Sequence, residues 1–215
     1  THGGCLAALG LALRGRVRNA YIPSSLAIGQ LLPWGSHPET DSGWSAENIS
    51  FFHDGAELRR VDKVRYISRN PLALRYLRVC YINEADKFNC GKCDKCIRTM
   101  TNLLAAGKLR EAAAFPDKLK PGMIAGLSVS GEQNAILHRE NLDELRKLGI
   151  GDGYQKEIEK ILDEYEHPKF DPAKALEKTR YHLLEAVNGI RQLDFFYNRD
   201  RLQKMKRRIA RRLKG

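Results

Sequence analysis

Apolar and polar positions follow different patterns in the two halves of the chain. In the first half, short apolar runs alternate with helix-like segments, and the pattern predicts strands over 17–24 and 49–53. It also predicts helices over 6–13 and 57–68, a short helix that begins at Asn70-Pro71, and a strand or extended segment over 77–82. Helices that alternate with strands favour parallel pairing through crossover helices, so the fold class predicted is α/β.

The second half of the chain has helical periodicity almost throughout. Gly107 ends the first helix, and Pro116, Pro121 and Gly122 mark a linker. Helices are predicted over 97–106, 142–148, 155–165 and 173–193. The sequence therefore predicts two domains: an α/β domain over 1–107 and an all-helical extension over 108–215.

A long segment between the two predicted strands is rich in Gly, Pro and Ser and contains Trp34 and Trp44. Ligands of parallel sheets bind beyond the carboxyl ends of the strands. The loops over 24–44 and 53–60 occupy that position in the predicted topology, so we expect functional residues there.

Composition restricts the class of protein. Of 215 residues, 42% are hydrophobic and 29% are charged, which is typical of a soluble globular chain rather than a disordered one. The longest apolar stretch, 5–13, is shorter than the roughly 20 residues of a membrane-spanning helix. With no basic flank before an apolar run, we expect no transmembrane segment, no signal peptide and a cytoplasmic location.

The net charge of +11 is concentrated at one end of the chain. Residues 199–214 contain nine Lys or Arg and one Asp, a local charge of +8, which leaves +3 for the rest. Four apolar residues of this tail share one helical face, namely Leu202, Met205, Ile209 and Leu213. The tail could dock on the body of the protein, contact RNA phosphates or lie on an anionic lipid surface. Docking is the default, because no aromatic residues are interleaved for base stacking.

Four of the five cysteines form a metal-ligand pattern. Cys90, Cys93 and Cys96 are spaced by two C-x2-C steps, and Cys80 precedes them in the segment over 77–82. Four thiolates give zinc a closed tetrahedral site of the structural kind. The fifth, Cys5, stands apart and is interpreted as an ordinary helix residue.

Other interpretations of the cysteines remain. Three cysteines within seven residues are improbable as chance core residues, and nothing in the sequence indicates export, which disulfides would require. The serious alternative is an iron–sulfur cluster, because bacterial ferredoxins share the C-x2-C-x2-C run. Their fourth cysteine is replaced here by Met100, which favours zinc.

The segments Val79-Cys80-Tyr81 and Cys90-Gly91-Lys92-Cys93-Asp94-Lys95-Cys96-Ile97-Arg98 resemble the zinc-binding end of the 7-cyano-7-deazaguanine synthase family. The resemblance covers about residues 1–106 and is strongest at the cysteines. It implies a Rossmann-like fold of the ATP pyrophosphatase superfamily, a structural Zn²⁺, and ATP with Mg²⁺. Such enzymes adenylate a carboxylate or carbonyl oxygen of a small acid, and ammonia then displaces AMP.

One part of the family's pattern is missing from this chain. The phosphate loop of the superfamily, Ser-Gly-Gly-x-Asp-Ser, has no counterpart, and Ser130-Gly131-Glu132 is the nearest string. Phosphate loops act through backbone N–H groups and a helix terminus, so we expect this chain alone to be inactive. The expectation is that the loop lies upstream of Thr1.

The resemblance also implies site residues. It implies that the acidic loop and a nearby aromatic ring bind the substrate, through His37, Glu39, Asp41 and Trp44. It implies that a pair of glycines and a basic residue at the start of a helix bind the nucleotide, through Gly3, Gly4 and Arg60. A polar surface turn, solvated helix charges and a simple glycine turn are the structural alternatives. His53 receives no catalytic role, because no carboxylate–histidine–nucleophile set is legible in the sequence.

Two functions are consistent with the sequence. The first is the C-terminal part of an ATP-dependent adenylating carbon–nitrogen ligase with a structural zinc. The second is a non-catalytic, zinc-stabilised binding module whose basic tail contacts nucleic acid.

Overall fold

A computed structural model describes residues 2–32, 35–82, 87–116, 118–168 and Leu183. The chain divides into two units, Thr1–His167 and Pro168–Gly215, and the description below concerns the first. The helix predicted over 173–193, apart from Leu183, and the amphipathic tail over 202–213 lie outside the described residues.

Two parallel strands form the sheet of the described chain. Strand β1 is Asn19–Pro23 and strand β2 is Ser50–Asp54, with Asn19 opposite Ser50 and Pro23 opposite Asp54. Helix α1, His2–Ala12, covers the pair through a small core of buried side chains: Ala7, Ile22, Ile49 and Phe51. The α/β class is confirmed with a two-stranded sheet, whereas the wider Rossmann-like sheet stays a prediction.

Seven further helices make the described chain mostly helical. They are α2 Pro38–Asp41, α3 Arg60–Ile67, α4 Pro71–Tyr76, α5 Asp94–Ala105, α6 Pro121–Ala125, α7 Glu132–Leu148 and α8 Asp152–Glu166. Helix α4 begins as predicted, because Pro71 fits the first turn and the Asn70 side chain accepts hydrogen bonds from the N–H groups of Leu72 and Ala73. Of the strand or extended segment predicted over 77–82, the strand is not found, since this segment is irregular and pairs with neither β1 nor β2.

The main core surrounds α5. Ile97, Met100 and Leu103 of α5 are almost fully buried and belong to one cluster with Leu145 of α7 and Ile158 of α8. The apolar period of α5 predicted this helix to within three residues of its start. The same core includes residues on both sides of Gly107, so the two predicted parts of the chain pack together within the first unit.

Helix α7 begins ten residues earlier than the helix predicted from the sequence. More than half of the residues that it buries are polar: His138, Glu140, Asn141 and Glu144 are each at most 4% exposed. Polar residues at core positions break the apolar period, and the period is what identifies a helix in a sequence.

The polar face of α7 joins α3 to α5. His138 Nε2 lies 3.0 Å from Asp94 Oδ1, and Asn141 Nδ2 donates to the carbonyl of Arg98 at 3.2 Å. Glu140 Oε2 accepts from the N–H of Val61 in the first turn of α3 at 3.4 Å. These bonds hold the start of α3 and the first turns of α5 on one helix.

Candidate metal centre and adjoining cavities

The four cysteines of the sequence pattern come together in space. Their Sγ atoms all lie within 4.8 Å of one another, and Cys80–Cys93 and Cys90–Cys96 are each separated by 3.8 Å. Cys80 and Cys96 are buried, and the other two are half-buried. The cluster could bind a metal ion such as zinc.

Asn89 positions the irregular segment that carries Cys80. Its Oδ1 accepts from the N–H groups of Val79 at 3.0 Å and Cys80 at 3.2 Å. Its Nδ2 donates to the carbonyls of Leu77 and Ala114, both at 2.8 Å. The amide therefore replaces a strand partner for this segment, a role that a single asparagine in a sequence does not reveal.

The other three cysteines come from a tight turn that leads into α5. The N–H of Cys93 donates to Cys90 Sγ at 3.3 Å. Burial acts to raise the pKa of Cys90, but N–H donors from Lys92 and Cys93 outweigh it and lower the pKa to about 7. Burial raises the pKa of Cys96, which lies in the first turn of α5. The turn thus favours a thiolate at Cys90, and a cation would have to favour one at Cys96.

The turn also requires glycine at position 91. Gly91 has φ +73°, and a Cβ there would lie 2.5 Å from Pro116 Cγ. We expect Gly91→Ala to lower the free energy of unfolding by about 2 kcal/mol through left-handed strain and the clash, and to weaken metal binding. Urea unfolding measures the first effect and a competition titration with a zinc chelator the second. Gly122→Ala is the matched control, because a Cβ at Gly122 meets nothing within 4 Å; equal effects of the two changes would contradict the prediction.

A cavity of about 730 Å³ lies beside the cysteine cluster. Its wall includes the neighbours of the cysteines in sequence, Val79, Tyr81, Asp94 and Lys95. The start of α7 forms another part of the wall, with Ser130, Gly131 and Glu132. Gly131 precedes α7 without a side-chain cap, so backbone N–H groups of the first turn are available at the cavity.

Two arginines give this cavity its electrostatic character. Arg60 of α3 and Arg98 of α5 both line it, and the Arg98 side chain is only 11% exposed. Burial lowers the pKa of Arg60, and the charge of Arg98 lowers it further. Arg98 pairs with Asp94 at 2.8 Å, but its Nε is buried without a partner among the described residues. Arg98 thus keeps one hydrogen-bond donor that the described residues do not use, and an anion could accept from it.

The predicted substrate residues separate in the structure. Asp41 is fully buried, and its carboxylate accepts from Ser36 Oγ at 2.6 Å and the N–H of His37 at 3.2 Å. The same carboxylate lies 2.7 Å from His53 Nδ1. Glu39 and Trp44 are exposed, and Trp34 lies outside the described residues. The structure thus joins Asp41 to His53, the histidine without an assigned role, and the substrate roles stay predictions.

The predicted nucleotide residues also have different surroundings. Arg60 lines the large cavity, as a phosphate contact requires. Gly3 is buried and donates its N–H to the carbonyl of Gly35 at 3.0 Å, and a Cβ on Gly3 would lie 2.1 Å from that oxygen. Glycine is therefore needed at position 3 for close packing of α1 on the loop, and the nucleotide roles of Gly3 and Gly4 stay predictions.

The fold and the site define an α/β, mostly helical protein with a four-cysteine cluster that could hold a metal ion. No family model, curated protein or solved structure matches this chain. Among the described residues, the structure contains no helix with the length and apolar character needed to cross a membrane.

Proposed function

We propose that the protein is part of an ATP-dependent adenylating ligase that activates a carboxylate or carbonyl oxygen of a purine-like or other small acid for attack by ammonia. The observation that carries the proposal is that Arg60 and Arg98 line one cavity beside the cysteine cluster. The resemblance at the cysteines and the parallel strand pair support it.

We also propose that the cysteine cluster holds a structural Zn²⁺. Zinc–sulfur bonds of about 2.3 Å in a tetrahedron separate the sulfurs by about 3.8 Å, and two pairs of Sγ atoms are 3.8 Å apart. A complex of zinc with four thiolates carries two negative charges, and the cations Lys95 and Arg98 lie on either side of Cys96 on α5. Four protein ligands leave no position for a substrate, so the ion stabilises the wall of the cavity rather than reacting.

The cavity suits the phosphates of ATP. Arg60 and Arg98 offer guanidinium groups, which bind phosphate oxygens in a bidentate way, and the first turn of α7 offers N–H groups. The carboxylates in the same wall are already paired: Asp94 with Arg98 and His138, and Glu132 with Arg139. They therefore oppose an anion less than free carboxylates would.

Arg60→Gln tests the phosphate site. A hydrogen bond to a charged group contributes about 1.5–3 kcal/mol, so we expect the affinity for Mg·ATP to fall about 10- to 100-fold. Isothermal titration calorimetry of the full-length, zinc-loaded protein measures the change. Arg146→Gln is the matched control, because Arg146 pairs with Glu159 on the surface, outside the cavity wall. An unchanged affinity for Mg·ATP in Arg60→Gln would contradict a phosphate site at Arg60.

Exchange of labelled pyrophosphate into ATP tests the adenylation step in the full-length protein. We expect exchange that depends on a carboxylic acid, with a carboxylated deazaguanine as the first acid to try. ATP binding without exchange for any deazapurine or carboxylic acid would contradict the ligase and favour the zinc-stabilised binding module.

A further inference from the structure

Beyond the phosphate site, the end of β2 carries a buried histidine that the proposed function does not yet use. We propose that His53 is a general base that binds ammonia, the nucleophile of the proposed reaction, in a small cavity, and that Asp41 positions it. This inference rests on the proposed function for the reaction that follows, but the cavity and the histidine can be tested without ATP.

Asp41 determines which nitrogen of His53 carries the proton. Both side chains are buried, at 4% exposed for His53 and 1% for Asp41. Burial acts to raise the pKa of Asp41, but hydrogen bonds from Ser36, His53 and the backbone of His37 outweigh it and lower the pKa. An ionised carboxylate only accepts hydrogen bonds, so Nδ1 of His53, at 2.7 Å, must be the donor. In the neutral ring, Nε2 then has a free lone pair.

No described residue donates a hydrogen bond to the lone pair of His53 Nε2. Nε2 is buried and has no hydrogen-bond partner among the described residues. His53 lines a cavity of about 10 Å³ together with Ser24, Ser25 and Leu26. Such a volume admits about one water-sized molecule. Buried nitrogens are usually satisfied, so a small hydrogen-bond donor in this cavity explains the otherwise unpartnered Nε2.

The small cavity adjoins the arginine-lined cavity. His2, Ser25 and Gln133 lie in the walls of both. The two cavities therefore have part of a wall in common. Both cavities lie at the carboxyl end of the parallel strands or beside it, where ligands of such sheets bind.

A serine nucleophile does not fit the same geometry. Ser36 Oγ donates to Asp41 Oδ2 at 2.6 Å and lies 3.4 Å from Nδ1, the nitrogen that carries the proton. A Ser–His–Asp triad needs its serine on Nε2. Ser36 thus helps Asp41 to orient the ring, and the base acts on a diffusible molecule.

In the proposed step, the lone pair of ammonia forms a bond to the adenylated carbon while one proton of the ammonia passes to Nε2 of His53. The carbon–oxygen bond to AMP breaks, and its electron pair leaves with the phosphate oxygen of AMP.

The position of the proton on His53 is the first test. In the full-length protein labelled with [¹⁵N]histidine, we expect NMR to show the proton on Nδ1 and a bare Nε2. Asp41→Asn presents an amide that can donate to Nδ1, so the proton should shift toward Nε2. Asp54→Asn, the same change at an exposed neighbour of His53, should leave the ring unchanged. A proton on Nε2 in the wild-type protein would overturn the proposal.

The occupant of the cavity is the second test. A saturable shift of the Nε2 signal in ammonium chloride, absent in potassium chloride of equal ionic strength, identifies ammonia. A lasting water cross-peak to the His53 ring without that shift would show that the cavity holds water instead of ammonia, and would overturn the proposal. The absence of both would show that the cavity binds neither, and the proposal would fail.

The base itself is tested by turnover. General bases contribute at least about 100-fold to a rate, so His53→Gln should lower AMP release from Mg·ATP by that factor and leave the affinity for ATP unchanged. Equal rates in His53→Gln and wild type would show that His53 is not a general base, without affecting the proposed function. Failure of the wild-type protein to bind ATP would overturn the proposed function instead, and the two NMR results would still decide the cavity.

Discussion

Cys96→Ser is expected to abolish cooperative unfolding of the first unit. Cys96 is fully buried at the start of α5, around which the main core is built. A structural zinc contributes roughly 10–16 kcal/mol in small peptides, which is comparable with the 5–15 kcal/mol that stabilises a whole domain. Loss of one of four thiolates should therefore remove the ion and loosen the segment from Cys80 to Gly107 first. Zinc analysis and thermal unfolding followed by circular dichroism measure the two effects.

Cys5→Ser is the matched control for this prediction. Cys5 is exposed and is the cysteine outside the cluster. It should retain one zinc per chain and the wild-type melting temperature. A Cys96→Ser protein with full zinc and an unchanged melting temperature would contradict a structural metal site, and a brown wild-type protein that contains iron would replace zinc by an iron–sulfur cluster.

Asn89→Ala is expected to have the largest effect on stability of any substitution outside the cysteines. It would remove four hydrogen bonds and leave two N–H groups and two carbonyls without their partner. A buried polar group left unpaired costs about 1–3 kcal/mol, so we expect a loss of at least about 3 kcal/mol in urea unfolding. The affinity for zinc should fall as well, because the amide fixes the backbone of Cys80.

Two further variants make the interpretation of Asn89 specific. Asn89→Asp keeps the acceptor for Val79 and Cys80 but turns a carboxylate toward two carbonyls, so it should also destabilise the protein. Asn70→Ala removes an exposed helix cap. It should lower the free energy of unfolding by about 1 kcal/mol, the usual cost of losing a capping asparagine. A loss in Asn89→Ala no larger than that of Asn70→Ala would show that the segment does not depend on the amide.

The metal cluster and the strand pair could be predicted because each has a local signal. Two C-x2-C steps bring thiolates together through a turn of a few residues. The apolar runs before Ser24 and before Asp54 identified both strands to within two residues, and the alternation of helices with strands indicated parallel pairing. The Cys80 segment, for which a strand or an extended segment was predicted, is not a strand, because the side chain of Asn89 bonds its backbone in place of a partner strand.

The Asp41–His53 contact and the cavities could not be predicted in the same way. Asp41 and His53 are separated by twelve residues, and their contact depends on where the loop folds back over the end of β2. Arg60 and Arg98 lie on α3 and α5, 38 residues apart in the chain, and are brought together by the packing of these helices on each other and on α7. Long-range juxtaposition of polar residues leaves no period in the sequence.

The polar face of α7 has a mechanical consequence for ligand binding. Apolar side chains tolerate sliding, but a shift of α7 by one turn, about 5.4 Å, would separate His138, Glu140 and Asn141 from Asp94, Val61 and Arg98. These hydrogen bonds therefore fix the positions of α3 and α5 along α7. If the cavity binds phosphate as proposed, the positions of Arg60 and Arg98 are set before the anion arrives, and little affinity is lost to ordering the two side chains' helices.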